Sequence, residues 1–254
     1  MLRIIISGCN GHMGRAVAEL AGRDGAVETV AGFDVGHMMS NKFPVYEDPR
    51  EYDGQADVVV DFSSPSMLDG LLYLAVERKL PLVLCTTGYS ASQLEAVDRA
   101  AVVAPIFRSG NMSLGVNLLA ELVRRACAVL GADFDVEIVE RHHRRKTDAP
   151  SGTALLLAAA ASDSLPYEPE YVCARADRRA PRSGREIGIS SVRGGTIVGE
   201  HEVIFAGRDE VIELKHSAHS REIFAAGALR AAKFLVSAKS PGLYDMADVL
   251  SRAV

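Results

Sequence analysis

This 254-residue chain is predicted to be an α/β protein, with a doubly wound parallel sheet first and then a second α+β domain built on a mixed or antiparallel sheet. Three observations carry that expectation. Short apolar runs alternate with helical patterns through the first half, which implies parallel strands joined by crossover helices. Glycines at 8, 11 and 14 separate the first strand from the first helix. Late in the chain three strand-like stretches follow one another with no helix between them, the mark of antiparallel or mixed pairing.

Composition sets the outer limits. With 48% hydrophobic residues and a net charge of −5, the chain can bury an ordinary core and lacks the positive excess of a general nucleic-acid binder. Cys9, Cys85, Cys127 and Cys173 are widely spaced with no C-x-x-C pair, so neither a metal site nor a disulfide framework is expected. Residues 2–7 are too short for a signal segment and run straight into a glycine turn, and no long apolar run follows. A cytoplasmic protein without membrane contact is therefore expected.

Residues 2–7 read as a buried strand, and 15–21 as the helix after it. Between them Gly8, Cys9, Asn10, Gly11, His12, Met13 and Gly14 form a G-x-x-G-x-x-G turn. Small residues there let the backbone approach a pyrophosphate at a helix N-terminus, as in Rossmann-type dinucleotide domains, although the usual spacing is G-x-G-x-x-G. Residues 28–33 read as a second strand ending at Asp34, twenty residues past Gly14, where a ribose-binding carboxylate is expected. Residues 57–62 are a third strand, with Ser64 as N-cap and Pro65 as first residue of a helix to 79. Residues 81–85 are a fourth strand, Ser90 and Gln93 a capping box, and 102–107 a fifth strand. Ligands gather at the carboxyl ends of such strands. That edge holds Gly8 to Met13, Asp34, Phe62, Cys85, Thr86, Thr87, Ser109, Gly110, Asn111 and Met112 as cofactor candidates.

Residues 114–130 have helical periodicity, and 135–140 form a strand leading into Glu140-Arg141-His142-His143-Arg144-Arg145-Lys146-Thr147-Asp148-Ala149-Pro150-Ser151-Gly152-Thr153-Ala154. Taken alone, such a run is more often a solvated loop or a subunit contact than a catalytic site. Here it is followed by a helix start. Ser151 is the expected N-cap, and the first-turn amides of Gly152 and Thr153 make a carboxylate site. Lys146 has a flexible stem and a pKa open to its surroundings, while His142 and His143 titrate near neutrality. Residues 165–185 read as loop. Strands follow at 186–192, 196–206 and 210–216, then a helix at 221–236 capped by Ser220, and a tail at 241–253. If that helix packs on the first sheet, a discontinuous dinucleotide-binding domain spans 1–113 and 221–254, and a substrate-binding and oligomerisation domain spans 114–220. A nucleotide domain joined to a basic, proton-exchanging loop suggests a nicotinamide-dependent reductase acting on a small anionic substrate.

The run E-x-H-H-x-x-K-x-D-A-P-S-G-T resembles the signature of the 4-hydroxy-tetrahydrodipicolinate reductase (dihydrodipicolinate reductase) family of diaminopimelate and lysine biosynthesis. Similarity also covers 8–14, 61–63, 86–88, 113–117, 193–201 and 221–225. The resemblance implies that His142 is the catalytic proton donor/acceptor and Lys146 the proton donor, with His143, Gly152 and Thr153 binding substrate. It also implies NAD(P)H-dependent reduction of the dehydrated imine to tetrahydrodipicolinate, no metal, and a homotetramer built through the sheets of the second domains. Cys85 replaces the family's commoner Gly, and Met112 its Phe, exchanging an aromatic wall beside the cofactor for a thioether. The other readings are a related NAD(P)-dependent amino-acid or imine dehydrogenase, expected to lack the His-His-Lys pattern, and a non-catalytic NAD(H)-sensing regulator, for which no basic recognition helix is present. Asp34 is followed by Val35, Gly36 and His37 rather than arginine, with Lys42 the nearest fixed cation. NADH is therefore expected to serve at least as well as NADPH, with both used.

Overall fold

The computed structural model describes residues 1–36, 41–173, 175–176, 178–238 and 240–252, so His37 lies outside the described residues. The chain divides into two compact units, Met1–Leu114 with Glu222–Val254, and Gly115–Arg221.

The first unit begins with β1 (Leu2–Ser7), whose Ile4, Ile5 and Ile6 are fully buried. An unbroken apolar run of this kind suits a strand covered on both faces. It continues through α1 (His12–Arg23), β2 (Val27–Phe33), β3 (Val45–Tyr46), β4 (Val58–Asp61), α2 (Leu68–Glu77), β5 (Leu82–Leu84), α3 (Ala91–Ala101) and β6 (Pro105–Arg108). The second unit follows α4 (Leu114–Leu130) with β7 (Asp135–His142), α5 (Gly152–Ser162), β8 (Glu170–Val172), β9 (Glu186–Arg193), β10 (Gly199–Ala206) and β11 (Val211–Ala218). The chain then returns to the first unit with α6 (Glu222–Ala238), β12 (Gly242–Tyr244) and α7 (Met246–Ser251).

The first unit's seven strands are all parallel, in the order β12-β6-β5-β4-β1-β2-β3. One face carries α1 and α6, with Val17, Ala21, Ala228, Ala232 and Leu235 buried against Ile4, Ile6, Val58 and Val60. The other carries α2 and α3, with Leu68, Leu71, Leu74 and Val97 against Ile5, Val59, Leu82 and Leu84. Helices on both faces are what the alternating sequence predicted.

Several boundaries differ from expectation. The first helix starts at His12 rather than 15, because Gly14 lets its opening turn pass close over the loop. Ser64 makes no cap bond to the backbone. Its hydroxyl meets Ser66 Oγ (2.8 Å) instead, and Pro65–Met67 form a 3₁₀ turn before α2. Residues 102–104 are not strand, since their amides bond back to Arg99 and Ala100 and so finish α3. The edge strands β3 and β12 and the helix α7 had no counterpart in the sequence reading.

The second unit holds a mixed sheet in the order β11-β10-β7-β9-β8. β10 runs antiparallel to β7 and β11, while β9 runs parallel to β7 and β8. Along β7 buried and half-buried residues alternate, the period-two signature of a strand with one face on a core. That face is covered by Leu119 and Val123 of α4 and by Leu157, Ala158 and Ala161 of α5. The polar stretch at 165–185 is more ordered than expected. It contains β8, and Arg182 bonds Asp135 and Glu137 (2.6 and 2.8 Å) and the carbonyls of Val136 and Glu186.

Candidate active site

At the first unit's carboxyl edge, the β1–α1 turn brings Gly8, Cys9, Asn10, Gly11, His12 and Met13 together. Gly8 has φ +75°, and an added Cβ would lie 2.6 Å from the Phe62 carbonyl; one on Gly14 would lie 2.1 Å from the Gly8 carbonyl. No side chain larger than hydrogen fits either position. Gly11 caps α1 without a side-chain bond, so that helix presents backbone amides at its head. Asp34 Oδ2 accepts the Asn10 N–H (2.7 Å), tying the end of β2 to the turn, and Asn41 Nδ2 bonds Asn10 Oδ1 (2.9 Å). A close backbone, a helix head and an acid after β2 fit a dinucleotide.

The other cofactor candidates divide by exposure. Thr86, Thr87, Ser109 and Gly110 meet around a cavity of about 310 Å³ that Arg108 and Tyr89 also line. Cys9 and Cys85 are core residues, and burial raises both thiols, Cys9 to about 11. The Cys85 amide is taken by the Asp61 carbonyl (2.9 Å). Phe62 packs on the same core. Met112 departs from expectation. It is only 3% exposed, packed beneath α6, so its thioether forms no wall for a ligand. Its carbonyl is so close to Gly227 that a Cβ there would sit 1.7 Å away. Asp61, in the 61–63 stretch, is fully buried. It accepts bonds from Ser63 N and Oγ (3.1 and 2.5 Å) and Tyr89 OH (3.3 Å), latching the loops after β4 and β5.

In the second unit, sheet register builds the site. Glu140 and His142, two apart on β7, share its buried face. Glu140 stands opposite Ser191 of β9 and His201 of β10, and His142 opposite Arg193 of β9. Glu140 Oε2 accepts a bond from His142 Nδ1 (2.6 Å) and from Arg193 (2.7 Å); Oε1 accepts from Arg193 (2.6 Å) and from the Ser151 amide (3.2 Å). Burial alone would raise the Glu140 carboxyl, but hydrogen bonds from Arg193, Ser191 and His142 outweigh it and hold it at about 2. Burial lowers the His142 imidazole below its ordinary 6.5, with Lys146 and Arg193 acting in the same sense and Glu140 opposing. An ionised carboxylate only accepts, so neutral His142 carries its proton on Nδ1 and leaves Nε2 as a base.

Ser151 caps α5 as predicted, its Oγ taking the Ala154 amide (3.1 Å) and pairing with His201 Nε2 (2.9 Å). Gly152 and Thr153 thus head α5, and a Cβ on Gly152 would meet nothing within 4 Å. Lys146 Nζ lies 2.7 Å from Asp148, whose carboxyl is lowered by that bond. Arg193 Nη2 also donates to the Asp148 carbonyl (2.7 Å), fastening the loop that carries Lys146. His143 Nε2 is 3.5 Å from Arg221. Of the basic run, Arg141 turns to Glu200 and Glu202, while Arg144 and Arg145 are exposed. Arg193 and His201 lie in the 193–201 stretch, yet nothing in their local spacing shows that they reach Glu140 and Ser151.

Among the described residues no group of three or more His, Cys, Asp or Glu could hold a metal ion. No helix among them is long and apolar enough to cross a membrane.

Residues 2–112 match the family described as "Dihydrodipicolinate reductase, N-terminus" and 115–250 that described as "Dihydrodipicolinate reductase, C-terminus". A 4-hydroxy-tetrahydrodipicolinate reductase of Caldanaerobacter subterraneus subsp. tengcongensis is 52% identical over 252 residues, covering 99% of each chain. One of Clostridium novyi is 46% identical, covering 98% of each. Among solved structures, a dipicolinate-bound dihydrodipicolinate reductase from Paenisporosarcina sp. TG-14 superposes with a TM-score of 0.82 at 23% identity, covering 98% of each chain.

Proposed function

The chain belongs to the dihydrodipicolinate reductase family, and on that footing we propose how its residues reduce 4-hydroxy-tetrahydrodipicolinate, through the dehydrated imine, to tetrahydrodipicolinate. The enzyme is a pyridine-nucleotide-dependent oxidoreductase of diaminopimelate and lysine biosynthesis. One observation carries the assignment of roles: a single segment, 140–153, holds an ion-paired histidine, a lysine and a capped helix head.

The glycine turn and the head of α1 hold the pyrophosphate, Asp34 the adenosine ribose, and the edge at Thr86, Thr87, Ser109 and Gly110 the nicotinamide side. Bound there, the cofactor supplies the hydride. The amides heading α5 at Gly152 and Thr153 hold a substrate carboxylate, helped by the helix dipole and by His143. Lys146 donates the proton, exchanging Asp148 for substrate as its partner. His142, neutral at physiological pH and basic at Nε2, relays a proton from solvent to the lysine left neutral by that transfer, and the cationic loop stabilises the negative charge that grows on the conjugated imine. NADH serves at least as well as NADPH. The enzyme acts in the cytoplasm as a homotetramer, an assembly supported by Val211 and Ile212 standing exposed on the edge strand β11.

The reading is tested by mixing the protein with enzymatically generated 4-hydroxy-tetrahydrodipicolinate and either reduced cofactor, and following absorbance loss. Turnover is expected with both. Dipicolinate, the ligand of the Paenisporosarcina protein, is expected to inhibit competitively with substrate. No turnover with either cofactor, in protein that still binds both, would sink it.

A further inference from the structure

Two functions sit side by side in segment 140–153: a histidine that exchanges protons and a helix head that takes a carboxylate. They belong to different elements, β7 and α5, joined by a nine-residue connection of irregular backbone. A loop of that length does not by itself hold a ring and a helix end to the few tenths of an ångström that proton transfer needs. Something must fix one against the other.

Among the described residues, Glu140 is a side chain bonded to both. It is completely buried, and its two oxygens are divided between the tasks. Oε2 meets His142 Nδ1 at 2.6 Å, and Oε1 meets the backbone N–H of Ser151, the cap of α5, at 3.2 Å. Arg193 grips both oxygens from β9 and so fixes the plane of the carboxylate. Below Ser151, its hydroxyl is braced by His201, the cross-strand partner of Glu140. Above His142, Gly199 leaves room at Nε2, where an added Cβ would come within 3.1 Å.

We propose that Glu140 is a positioning residue that aligns both halves of the substrate site, one oxygen fixing the tautomer and plane of His142 and the other seating the head of α5. The proposal rests on the roles given above to His142 and to Gly152 and Thr153. Glu140 itself touches no substrate and transfers no proton. Without its charge, His142 would be free to carry its proton on Nε2, and the cap of α5 would lose its anchor to the sheet.

The test compares Glu140→Gln with His142→Gln and Thr153→Val in the full chain, each checked for folding by its melting curve. Turnover, its pH profile and dipicolinate binding by calorimetry are measured in each. His142→Gln is expected to lower kcat while leaving dipicolinate affinity nearly intact, and Thr153→Val, which removes a hydroxyl donor beside the two amides, to do the reverse. Glu140→Gln is expected to do both, lowering kcat by about 10²-fold and weakening dipicolinate by about tenfold. The groups facing His142 are Glu140 on its own strand, Arg193 on β9, His201 on β10 and Lys146 in the following loop. Only Glu140 among them favours the charged ring, so the limb of the profile belonging to His142 should move to lower pH in the Gln variant. If Glu140→Gln does not fold, Arg193→Lys keeps the charge and loses the two-pronged grip; both measurements should then fall together, by less. A folded variant that changes one measurement alone, or neither, overturns the proposal. Full turnover in His142→Gln would instead remove the reading beneath it.

Discussion

In the proposed function the glycine turn of the first unit and the 140–153 segment of the second each take an anion, and they do it by opposite means. At the turn the decisive feature is missing matter: at Gly8 and Gly14 a single added carbon would strike backbone at 2.6 and 2.1 Å. What remains is backbone amides and one carboxylate, Asp34. At 140–153 the decisive feature is crowded charge, with a carboxylate held at about 2 between a guanidinium and an imidazole. Holding a cofactor requires only shape and dipoles. Moving a proton requires a fixed tautomer and a group whose pKa its surroundings set, and those need buried partners.

The largest expected effects therefore fall in the second unit. Lys146→Ala and His142→Gln should each lower kcat by about 10²–10⁴-fold, the usual contribution of a proton-transfer group. Cofactor affinity, measured by calorimetry, should be nearly unchanged, because the residues proposed to bind the nucleotide belong to the other unit. Wild-type turnover in both variants would reduce the segment to a structural ion-pair cluster and erase the contrast.

Gly14→Ala probes the opposite mode and should act without touching any charge. The clash is with backbone, which cannot rotate away, so a loss of about 1–3 kcal/mol in unfolding free energy is expected, together with weakened cofactor binding. Normal cofactor affinity in this variant would mean that the turn does not need its close approach.

The two modes also differ in how far the sequence reveals them. The glycine turn, the Ser90–Gln93 capping box and the Ser151 cap were legible because each is decided within a few residues; both caps form as read, and the turn forms with α1 beginning inside it at His12. Ser64 had the same local signal and failed, since a 3₁₀ turn took the place of the helix it would have capped. Residues 102–104 are apolar, and Val102 and Val103 are β-branched, but backbone bonds at the end of α3 claimed them. β3 and β12 have only two and three residues, and pairing with a neighbour makes them strands. The His-His-Lys segment itself stood out. Its supports did not, because Arg193 and His201 lie 53 and 50 residues from the groups they bond, and only sheet register brings them there.

Buried imidazoles give the second unit an acid sensitivity that the glycine turn lacks. Burial, reinforced by His142, holds His201 at about 3 against an ordinary 6.5. Its folded-state pKa is depressed, so the unfolded chain binds the extra proton first. Stability is complete above pH 6.5 and declines towards pH 3, by at most about 1.4 kcal/mol per pH unit. Glu140 adds a second, lower window: its stabilisation is complete above 4.5 and lost as pH falls towards 2. His216, also lowered by burial, acts in the same sense as His201. His201→Gln should flatten the decline between pH 6.5 and 4.5 in urea unfolding. Parallel stability curves for wild type and variant would show that His201 does not carry it.

The smallest effect expected is cofactor choice, where the first unit uses the charge of Asp34. Asp34 gives Oδ2 to the Asn10 amide, which fixes the carboxylate at the end of β2 beside the turn. A 2′-phosphate about 4 Å from it would meet about 1 kcal/mol of repulsion in water and about 4 kcal/mol at a surface-like dielectric. Opposing this, Lys42 is an exposed cation next in sequence to Asn41, whose side chain reaches Asn10 at 2.9 Å. The balance predicts that kcat/KM for NADH equals or exceeds that for NADPH by no more than about tenfold, with the gap narrowing at high salt. Asp34→Asn should move the ratio toward NADPH and Lys42→Ala toward NADH, because each removes one side of the balance. A strong preference for NADPH that salt does not change would mean that the Asp34 charge plays no part at the ribose, and that the first unit selects its ligand by shape alone.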